Sequence, residues 1–376
     1  MADEVSIIVL STGTNPNEAL LPQILLDQKG IWRDVSSPYY RSKVSATEMK
    51  DGIDSELNRL MKQVEDGGGF DADAANVKGM AIKYYNYLVP EDVQAALRKA
   101  AQSINGDDIP LLRIHVHPSS EWIPWEMLHD GKGFLGMQFQ IARLPILSQV
   151  RDLNVNQPLQ VQSIYSLLAN NFLDDQDQKD KWSETFNGLH APPVFKQIPL
   201  SLLPDAVYPK VDQMVNATDA DILHVTCHGG MKDKFGTYWT LSDQSPFPGQ
   251  YNIYQDTLET ITFKTRPLVF GNACASSSGG GAQATKNGLM TGFATQFFSK
   301  GALNFVGTFS PITKKLAVEF AGQFYKHLLG QPGQPGMPIG KALFRAKQYY
   351  YQVEKRADPS YLFYCLYGPP ETTFQV

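Results

Sequence analysis

The chain has 376 residues with a formal net charge of −5, and 43% of its residues are hydrophobic, 11% aromatic and 19% charged. This composition is typical of a globular protein with a substantial core, formed by one large domain or two ordinary ones. The weak negative charge gives no reason to expect nucleic acid or an anionic membrane as a partner. No apolar run approaches the ~20 residues of a membrane-spanning helix, and the acidic start Met1–Glu4 lacks the basic region of a secretory signal.

Residues 1–150 are predicted to form an N-terminal α/β part. Apolar runs predict strands over 5–10 and 111–117, and helical spacing predicts helices over 43–66, 75–88 and 90–101. The segment 151–158 is polar and aperiodic, so we interpret it as the boundary to a second part, residues 151–376.

Two histidines, His115 and His117, share one face of the strand at 111–117. They are either a metal-binding or catalytic pair, or simply part of a polar strand face. The second interpretation is favoured, because no acidic or cysteine side chain lies at ligand spacing. The seven histidines and three cysteines of the chain form no metal-ligand pattern, so neither a metal nor a cofactor is expected. The cysteines also lack paired spacing, which indicates a reducing, cytoplasmic compartment.

The segment around Trp122 and Trp125 is rich in large side chains. We interpret the two tryptophans as packing at a seam between parts of the chain rather than as an aromatic binding surface, because large aromatic side chains dominate buried area. Glu126 lies in the same segment, and Arg143 follows it along the chain with the opposite charge. These two residues are candidates for a structural ion pair.

The second part alternates predicted strands and helices to its end, which favours an α/β fold with a mainly parallel sheet. Predicted strands cover 159–168, 222–226, 267–274, 302–307 and 364–368, and predicted helices cover 206–218, 288–299, 315–329 and 339–355. Residues 238–243 are predicted to be one arm of a hairpin, and residues 245–256 a loop near the site. The Pro- and Gly-rich segment 331–338 is predicted to be a stiff linker.

Two of these strands end at chemically reactive side chains. The strand 222–226 is followed by Cys-His228-Gly-Gly, and the strand 267–274 ends at Cys274, before a run of serine and glycine. In an open parallel sheet, ligands bind beyond the carboxyl ends of the strands. If the two strands are neighbours, the imidazole and the thiol lie side by side at one sheet edge. A base beside a thiol produces the thiolate that nucleophilic catalysis needs near neutral pH.

The same segments offer donors for an oxyanion. Gly229 has no side chain, so its N–H can approach a substrate carbonyl closely, and the N–H of Cys274 is the second candidate donor. Asn272 shares a strand face with Cys274 and is a candidate substrate-binding residue, as is Asp243. His228 could instead be a satisfied core histidine, but glycine after a strand end serves close backbone approach better than packing.

Three further residues near these segments have a structural interpretation. Cys227 points to the opposite sheet face from His228. His224 lies on the same face as His228 but deeper, and Cys365 sits inside an apolar strand. Cysteine is commonly buried as a small hydrophobic residue, and the deeper position of His224 favours a structural role. None of the three is therefore predicted to take part in the chemistry.

The His-Gly pair at 228–229 and the Asn-Ala-Cys at 272–274 resemble the dyad of caspase-like cysteine peptidases. Their separation is close to the ~50 residues noted for caspases. More narrowly, the chain resembles the CHAT family, caspase-like peptidases related to separases, over roughly residues 110–370. The stretches that carry this resemblance are Trp122–Leu128 with Gly133–Leu135 and Ile141–Pro145, Phe293–Thr308, Ile339–Ala346, and Tyr364–Gly368.

The resemblance implies a caspase-like, mainly parallel sheet flanked by helices, and a cysteine endopeptidase with Cys274 and His228 as its dyad. It also implies that a backbone carbonyl orients the imidazole, since no carboxylate has the spacing of a third member. Related metacaspases have an acidic residue where Asn272 stands, which selects basic side chains, so a weaker charge preference is expected here. Residues 1–150 are then a regulatory part or a pseudo-protease half, as in separases.

By the same resemblance the chain is expected to be a bacterial protease of regulated proteolysis or anti-phage defence. Its expected substrate is a protein, such as a gasdermin-like pore former, and an activating partner protein is possible in such a system. Two other functions stay open. A catalytically silent CHAT scaffold has no need to retain both dyad residues, which disfavours it. A small-molecule amidase would use the same dyad on a different substrate.

Overall fold

The site depends on which strands are neighbours in the fold. A computed structural model describes residues 4–10, 23–28, 31–34, 75–102, 108–116, 123–145, 157–168, 194–199, 220–232, 236–240, 252–254, 263–273, 284–285, 288–289, 293–310, 312–331, 333–354 and 359–376, with residues 52, 55, 56, 59, 181, 184 and 185. The predicted helix at 206–218 and most of that at 43–66 lie outside the described residues, although 52, 55, 56 and 59 are helical.

Short apolar runs form most strands of the largest sheet. In chain order the strands are β1 Glu4–Leu10, β2 Gln23–Gln28, β3 Ile31–Asp34, β4 Leu111–Val116, β5 Gln140–Pro145, β6 Leu159–Gln160, β7 Ser163–Leu168, β8 Val194–Pro199, β9 Ile222–Thr226, β10 His228–Lys232, β11 Gly236–Thr240, β12 Asn252–Tyr254, β13 Leu268–Asn272, β14 Ala284–Thr285, β15 Gly288–Leu289, β16 Asn304–Thr308, β17 Gly330–Gln331, β18 Gln334–Pro335, β19 Tyr364–Tyr367 and β20 Phe374–Gln375.

Eleven of the described strands form one sheet, in the order β3-β2-β1-β4-β5-β19-β16-β13-β9-β7-β8. Pairing is parallel from β1 through β4 and β5 to β19, and again from β16 through β13, β9 and β7 to β8. The exceptions are β2 and β3 at one edge and the central contact of β16 with β19, which are antiparallel. The prediction of a mainly parallel sheet is therefore confirmed.

Helices pack against this sheet. They are α1 Ala75–Leu88, α2 Glu91–Gln102, α3 Phe293–Ser299, α4 Lys314–Leu329 and α5 Ile339–Gln348. α4 covers one face of β13, where the rings of Phe270 and Phe324 lie 5.2 Å apart. α3 covers the other face, where Phe297 stacks on Phe305 of β16 at 5.6 Å. β9 and β13 are consequently buried along their whole length, as expected of parallel strands with helices on both sides.

Most predicted elements agree with the structure. The predicted helices at 75–88 and 90–101 and the strands at 5–10, 111–117, 222–226, 267–274 and 364–368 are confirmed within one or two residues at each end, apart from Cys274, which is outside the described residues. β4 alternates half-buried and buried residues as predicted. Within the described ranges no helix is both long and apolar enough to cross a lipid bilayer.

Four predictions of local structure were wrong. The predicted helix at 288–299 begins only at Phe293, because Gly288–Leu289 is the strand β15. The predicted strand at 159–168 is divided into β6 and β7, which belong to different sheets. Residues 252–254 of the predicted loop form β12, which pairs with β11. The predicted linker at 331–338 folds into the hairpin of β17 and β18, where Gly330 adopts a φ of 83° that favours glycine.

The predicted boundary at residues 150 and 151 divides a continuous structure. β5 lies before that boundary and β19 after it, and the two strands pair within the large sheet. One hydrophobic core contains residues from both sides, from Val5 to Phe374. A division into two parts remains a prediction, but the two parts share one sheet and one core.

Candidate active site

β9 and β13 are neighbours in the sheet and run parallel. Thr226, the last residue of β9, pairs with Asn272, the last residue of β13. His228 follows Thr226 by two residues, and Cys274 follows Asn272 by two residues. The predicted adjacency of the two strands is therefore confirmed, and both chain segments leave the sheet at the same level of the same edge. The side chain of His228 and the whole of Cys274 lie outside the described residues, so their mutual distance stays a prediction.

His228 begins a second, smaller sheet rather than a loop. The backbone of β10 pairs with β11, with His228 opposite Thr240 and Gly229 opposite Trp239. Trp239 is 2% exposed, and its ring stacks on Phe293 of α3 at 4.4 Å. A hairpin anchored by a buried tryptophan gives the backbone at His228 and Gly229 a defined position. The pairing of Tyr238–Thr240 in this hairpin confirms the predicted hairpin arm within the described residues.

Buried polar side chains lie directly below this edge. On the face of β9 that α4 covers, His224 Nδ1 is 3.1 Å from the hydroxyl of Tyr325, and its Nε2 is 3.1 Å from Oγ1 of Thr226. The imidazole also stacks on Phe270 at 5.0 Å. Burial lowers the pKa of His224 to about 3, so the ring stays neutral at physiological pH. These contacts support the structural interpretation of His224.

Asn272 is held by side-chain hydrogen bonds on both ends of its amide. Its Nδ2 donates to the carbonyl of Ala317 in α4 at 3.0 Å, and its Oδ1 accepts from the hydroxyl of Tyr364 in β19 at 2.9 Å. The residue is 3% exposed. It therefore ties the end of β13 to a helix and to another strand. Its predicted part in substrate binding stays a prediction, as does that of Asp243, which lies outside the described residues.

The two described cysteines are packed thiols. Cys227 is 4% and Cys365 0% exposed. Cys227 packs with Leu223 and Val225, on the opposite face of β9 from His224, as predicted. Burial raises the pKa of the Cys365 thiol above its usual range, which disfavours the thiolate. Neither residue has the environment of a nucleophile.

Sequence reasoning missed Thr308, the last residue of β16. It is fully buried, and its Oγ1 donates to the carbonyl of Ala273 at 2.9 Å. Ala273 directly precedes Cys274 in the chain. The available signal was a threonine at the end of the next predicted strand after Cys274. The sequence alone could not show that this strand lies beside β13.

The buried state of His224 has a consequence for stability at acid pH. In the unfolded chain the imidazole has a pKa of about 6.5 and binds a proton below that pH, whereas the folded imidazole stays neutral down to about pH 3. The contribution of His224 to the free energy of unfolding is therefore complete above about pH 6.5 and is lost as the pH falls towards 3. We expect this site to lower the free energy of unfolding by about 2 kcal/mol between pH 7 and pH 5, as measured by urea denaturation.

The control for that measurement is a pair of glutamine variants. His224→Gln should remove most of this pH dependence, whereas His327→Gln should remove less. Burial and the cations Arg345 and Lys326 lower the pKa of His327 too, but part of its side chain is exposed to solvent. An unchanged slope in His224→Gln would contradict the assignment.

Among the described residues, no group of three or more histidine, cysteine, aspartate or glutamate side chains is arranged to hold a metal ion. The described polar groups near the strand ends are neutral hydroxyl, amide and imidazole groups. Their arrangement suits hydrogen bonding to the backbone that leads to the two predicted dyad residues.

Comparison with known proteins agrees with this architecture. The CHAT domain family matches residues 80–365, and comparison with curated proteins gives no match. The separase–securin complex of Saccharomyces cerevisiae at 3.0 Å resolution is similar over 97% of this chain, with 13% identity and a TM-score of 0.51. The Arg-specific cysteine proteinase gingipain R, of Porphyromonas gingivalis, is similar over 76%, with 10% identity and a TM-score of 0.51.

The chain spans 30% of that separase chain and 70% of the gingipain chain. At identities this low, the structural similarity shows a shared fold only. It is the fold of the caspase-like cysteine peptidases. The family match covers well over half of the sequence and includes both predicted dyad positions. The chain belongs to the CHAT domain family.

Proposed function

We propose that this chain is a cysteine endopeptidase in which Cys274 is the nucleophile and His228 the general base. The observation that carries the proposal is the parallel pairing of β9 with β13, with Thr226 opposite Asn272. Equal two-residue extensions from that pair lead to the imidazole and to the thiol. A nucleophile and its base within reach of each other are the requirement for this chemistry.

In the proposed reaction His228 takes the proton of the Cys274 thiol, and the thiolate attacks the carbonyl carbon of the scissile peptide. The N–H groups of Gly229 and Cys274 stabilise the oxyanion. The carbon–nitrogen bond then breaks as His228 returns its proton to the leaving amine. Water, deprotonated by His228, attacks the thioester, which releases a carboxylate and restores the thiol. The reaction requires no metal or cofactor.

The proposed substrate is a protein. The gingipain structure is that of an Arg-specific enzyme, and the separase structure contains a bound partner, securin. In this chain Asn272 is neutral, and its amide is occupied by Ala317 and Tyr364, so we expect no strong selection for arginine or lysine. Cleavage of a gasdermin-like pore former in bacterial defence is the proposed setting, and it rests on the family resemblance alone.

The proposal is tested with an iodoacetamide probe and a proteome-derived peptide library. The wild-type protein should be alkylated selectively at Cys274 and should cleave library peptides, and Cys274→Ala should lose both properties. Cys227→Ala is the matched control, because Cys227 is a packed thiol and its loss should leave cleavage intact. The library also reports which residue precedes the cleaved bond.

Two other outcomes would point to a different function, and a third would change only the expected specificity. No selective alkylation and no cleavage would favour the silent scaffold. Hydrolysis of small amides by wild-type protein, with no cleavage of any library peptide, would favour the small-molecule amidase. Cleavage mainly after arginine or lysine would leave the peptidase proposal intact and contradict the expected weak charge preference.

A further inference from the structure

Thr308 holds the peptide unit that leads into Cys274. Its Oγ1 donates a hydrogen bond to the carbonyl oxygen of Ala273 at 2.9 Å, and Thr308 is completely buried. The contact joins the last residue of β16 to the residue that follows β13. These strands are parallel neighbours, with Gly307 opposite Gly271, so the hydroxyl reaches across from the next strand.

The carbonyl of Ala273 and the amide N–H of Cys274 belong to the same peptide bond. A peptide bond is planar and almost always trans, so its N–H points opposite to its carbonyl. A donor that fixes the carbonyl direction therefore also fixes the direction of the N–H. A hydrogen bond accepted by the carbonyl in addition polarises the peptide and makes its N–H a stronger donor.

We infer that Thr308 is a positioning residue that aims and strengthens the Cys274 N–H as an oxyanion donor. This inference rests on the proposed cysteine peptidase function. It adds Thr308 to the proposed mechanism, in addition to the predicted dyad and the two predicted oxyanion donors. Thr308 acts through the backbone of its neighbour and does not itself contact the substrate.

Backbone pairing and a network of buried hydrogen bonds surround Thr308 and the residues before Cys274. Thr308 pairs with Tyr364 of β19, whose hydroxyl donates to Oδ1 of Asn272 at 2.9 Å. Asn272 in turn donates to Ala317 of α4. The two residues before Cys274 are thus each tied by a side-chain hydrogen bond to buried groups. As a β-branched residue, threonine also has few side-chain conformations available.

A purely structural role offers the competing explanation, since buried hydroxyl groups are nearly always hydrogen-bonded. The two explanations differ in which step they affect. An oxyanion forms when a thiolate attacks an amide carbonyl, but not when it displaces iodide from iodoacetamide. Loss of a positioning residue should therefore slow amide hydrolysis and leave alkylation unchanged.

The test uses the fluorogenic peptide amide that the wild-type protein hydrolyses fastest in a positional library, with iodoacetamide as the second reagent. Thr308→Val replaces the hydroxyl by a methyl group of similar size. We expect kcat to fall about 10- to 100-fold, which is no more than the fall in kcat that follows removal of a whole oxyanion donor. KM should change less than about threefold, and the alkylation rate of Cys274 should stay at the wild-type value. Thr308→Ser keeps the hydroxyl and should retain kcat within about threefold.

Several results would overturn the inference. A Thr308→Val protein with wild-type kcat, when Cys274→Ala is inactive, overturns it and leaves the proposed function intact. Equal losses of hydrolysis and alkylation would show a general structural effect and also overturn it. If the wild-type protein hydrolyses no peptide amide, the proposed function falls and the inference falls with it. If Thr308→Val does not fold, Thr308→Ala carries the same test, because it removes the hydroxyl without adding a methyl group.

Discussion

Replacing His228 with alanine should lower kcat/KM for peptide hydrolysis by about 10³-fold, the usual contribution of a positioned general base. The same change should shift the pH dependence of Cys274 alkylation. Without the imidazole, the thiol should ionise near the ordinary cysteine pKa of about 8.5. With the imidazole, half-maximal alkylation should occur at a lower pH. Alkylation rates from pH 5 to pH 10 measure this difference directly.

A second histidine provides the control for that experiment. His115 lies in β4, which is separated from β9 by several strands of the sheet, and His115→Ala should keep both the hydrolysis rate and the alkylation profile. If His228→Ala retains wild-type kcat/KM, His228 is not the base. If it loses activity but keeps the wild-type alkylation profile, the imidazole does not activate the thiol.

Breaking the buried ion pair of Arg143 and Glu126 should have the largest effect on stability. Arg143 is fully buried, as is Glu126, and Nη2 of Arg143 donates to Oε2 of Glu126. The guanidinium also donates to the carbonyl of Ile123 at 3.2 Å and to the hydroxyl of Tyr367 at 3.4 Å. Arg143→Met leaves the buried carboxylate without the cation that hydrogen-bonds to it, which costs about 3–5 kcal/mol of unfolding free energy.

Two controls define that effect in urea denaturation. The double variant Glu126→Leu with Arg143→Met removes both charges of the pair and leaves only the buried Lys347 charged, so it should lose less stability than Arg143→Met alone. Glu184→Gln disrupts an ion pair with Lys181 and Lys326 at the surface, and it should change stability by less than about 1 kcal/mol. An equal loss in Arg143→Met and in the double variant would contradict the ion-pair account.

The same ion pair predicts how the chain unfolds. Glu126 and Arg143 lie before the predicted boundary at residue 150, whereas Tyr367 lies in β19, far beyond it. Since the guanidinium contacts both parts, and one core spans both, we expect a single unfolding transition. Two separated transitions would favour two independent domains.

Much of the local structure could be predicted from the residues themselves. The strands that become β9 and β13 were recognisable because each is a short apolar run followed by a reactive side chain. The opposite charges of Glu126 and Arg143 made them candidates for an ion pair, and the structure shows that they form it. The family could be identified from motifs spread along the chain, because their order is a property of the sequence.

Contacts between distant segments of the chain were harder to predict from the sequence. His228-Gly-Gly was predicted to face the site from a strand end, but the structure makes it the start of a hairpin anchored by Trp239. The part of Asn272 in joining β13 to α4 and β19 was not predicted either. Both depend on partners from other parts of the chain, which the local periodicity of apolar residues does not reveal.

The residue types alone singled out the candidates for the chemistry, since an imidazole and a thiol after two predicted strands can be recognised without knowing any neighbour. The adjacency of β9 and β13 and the hydrogen bond from Thr308 to the carbonyl before Cys274 became visible only in the folded chain. Pairing between parallel strands, and the buried hydrogen bonds across them, join residues that are far apart in the sequence. Such contacts form only when the intervening helices and strands pack.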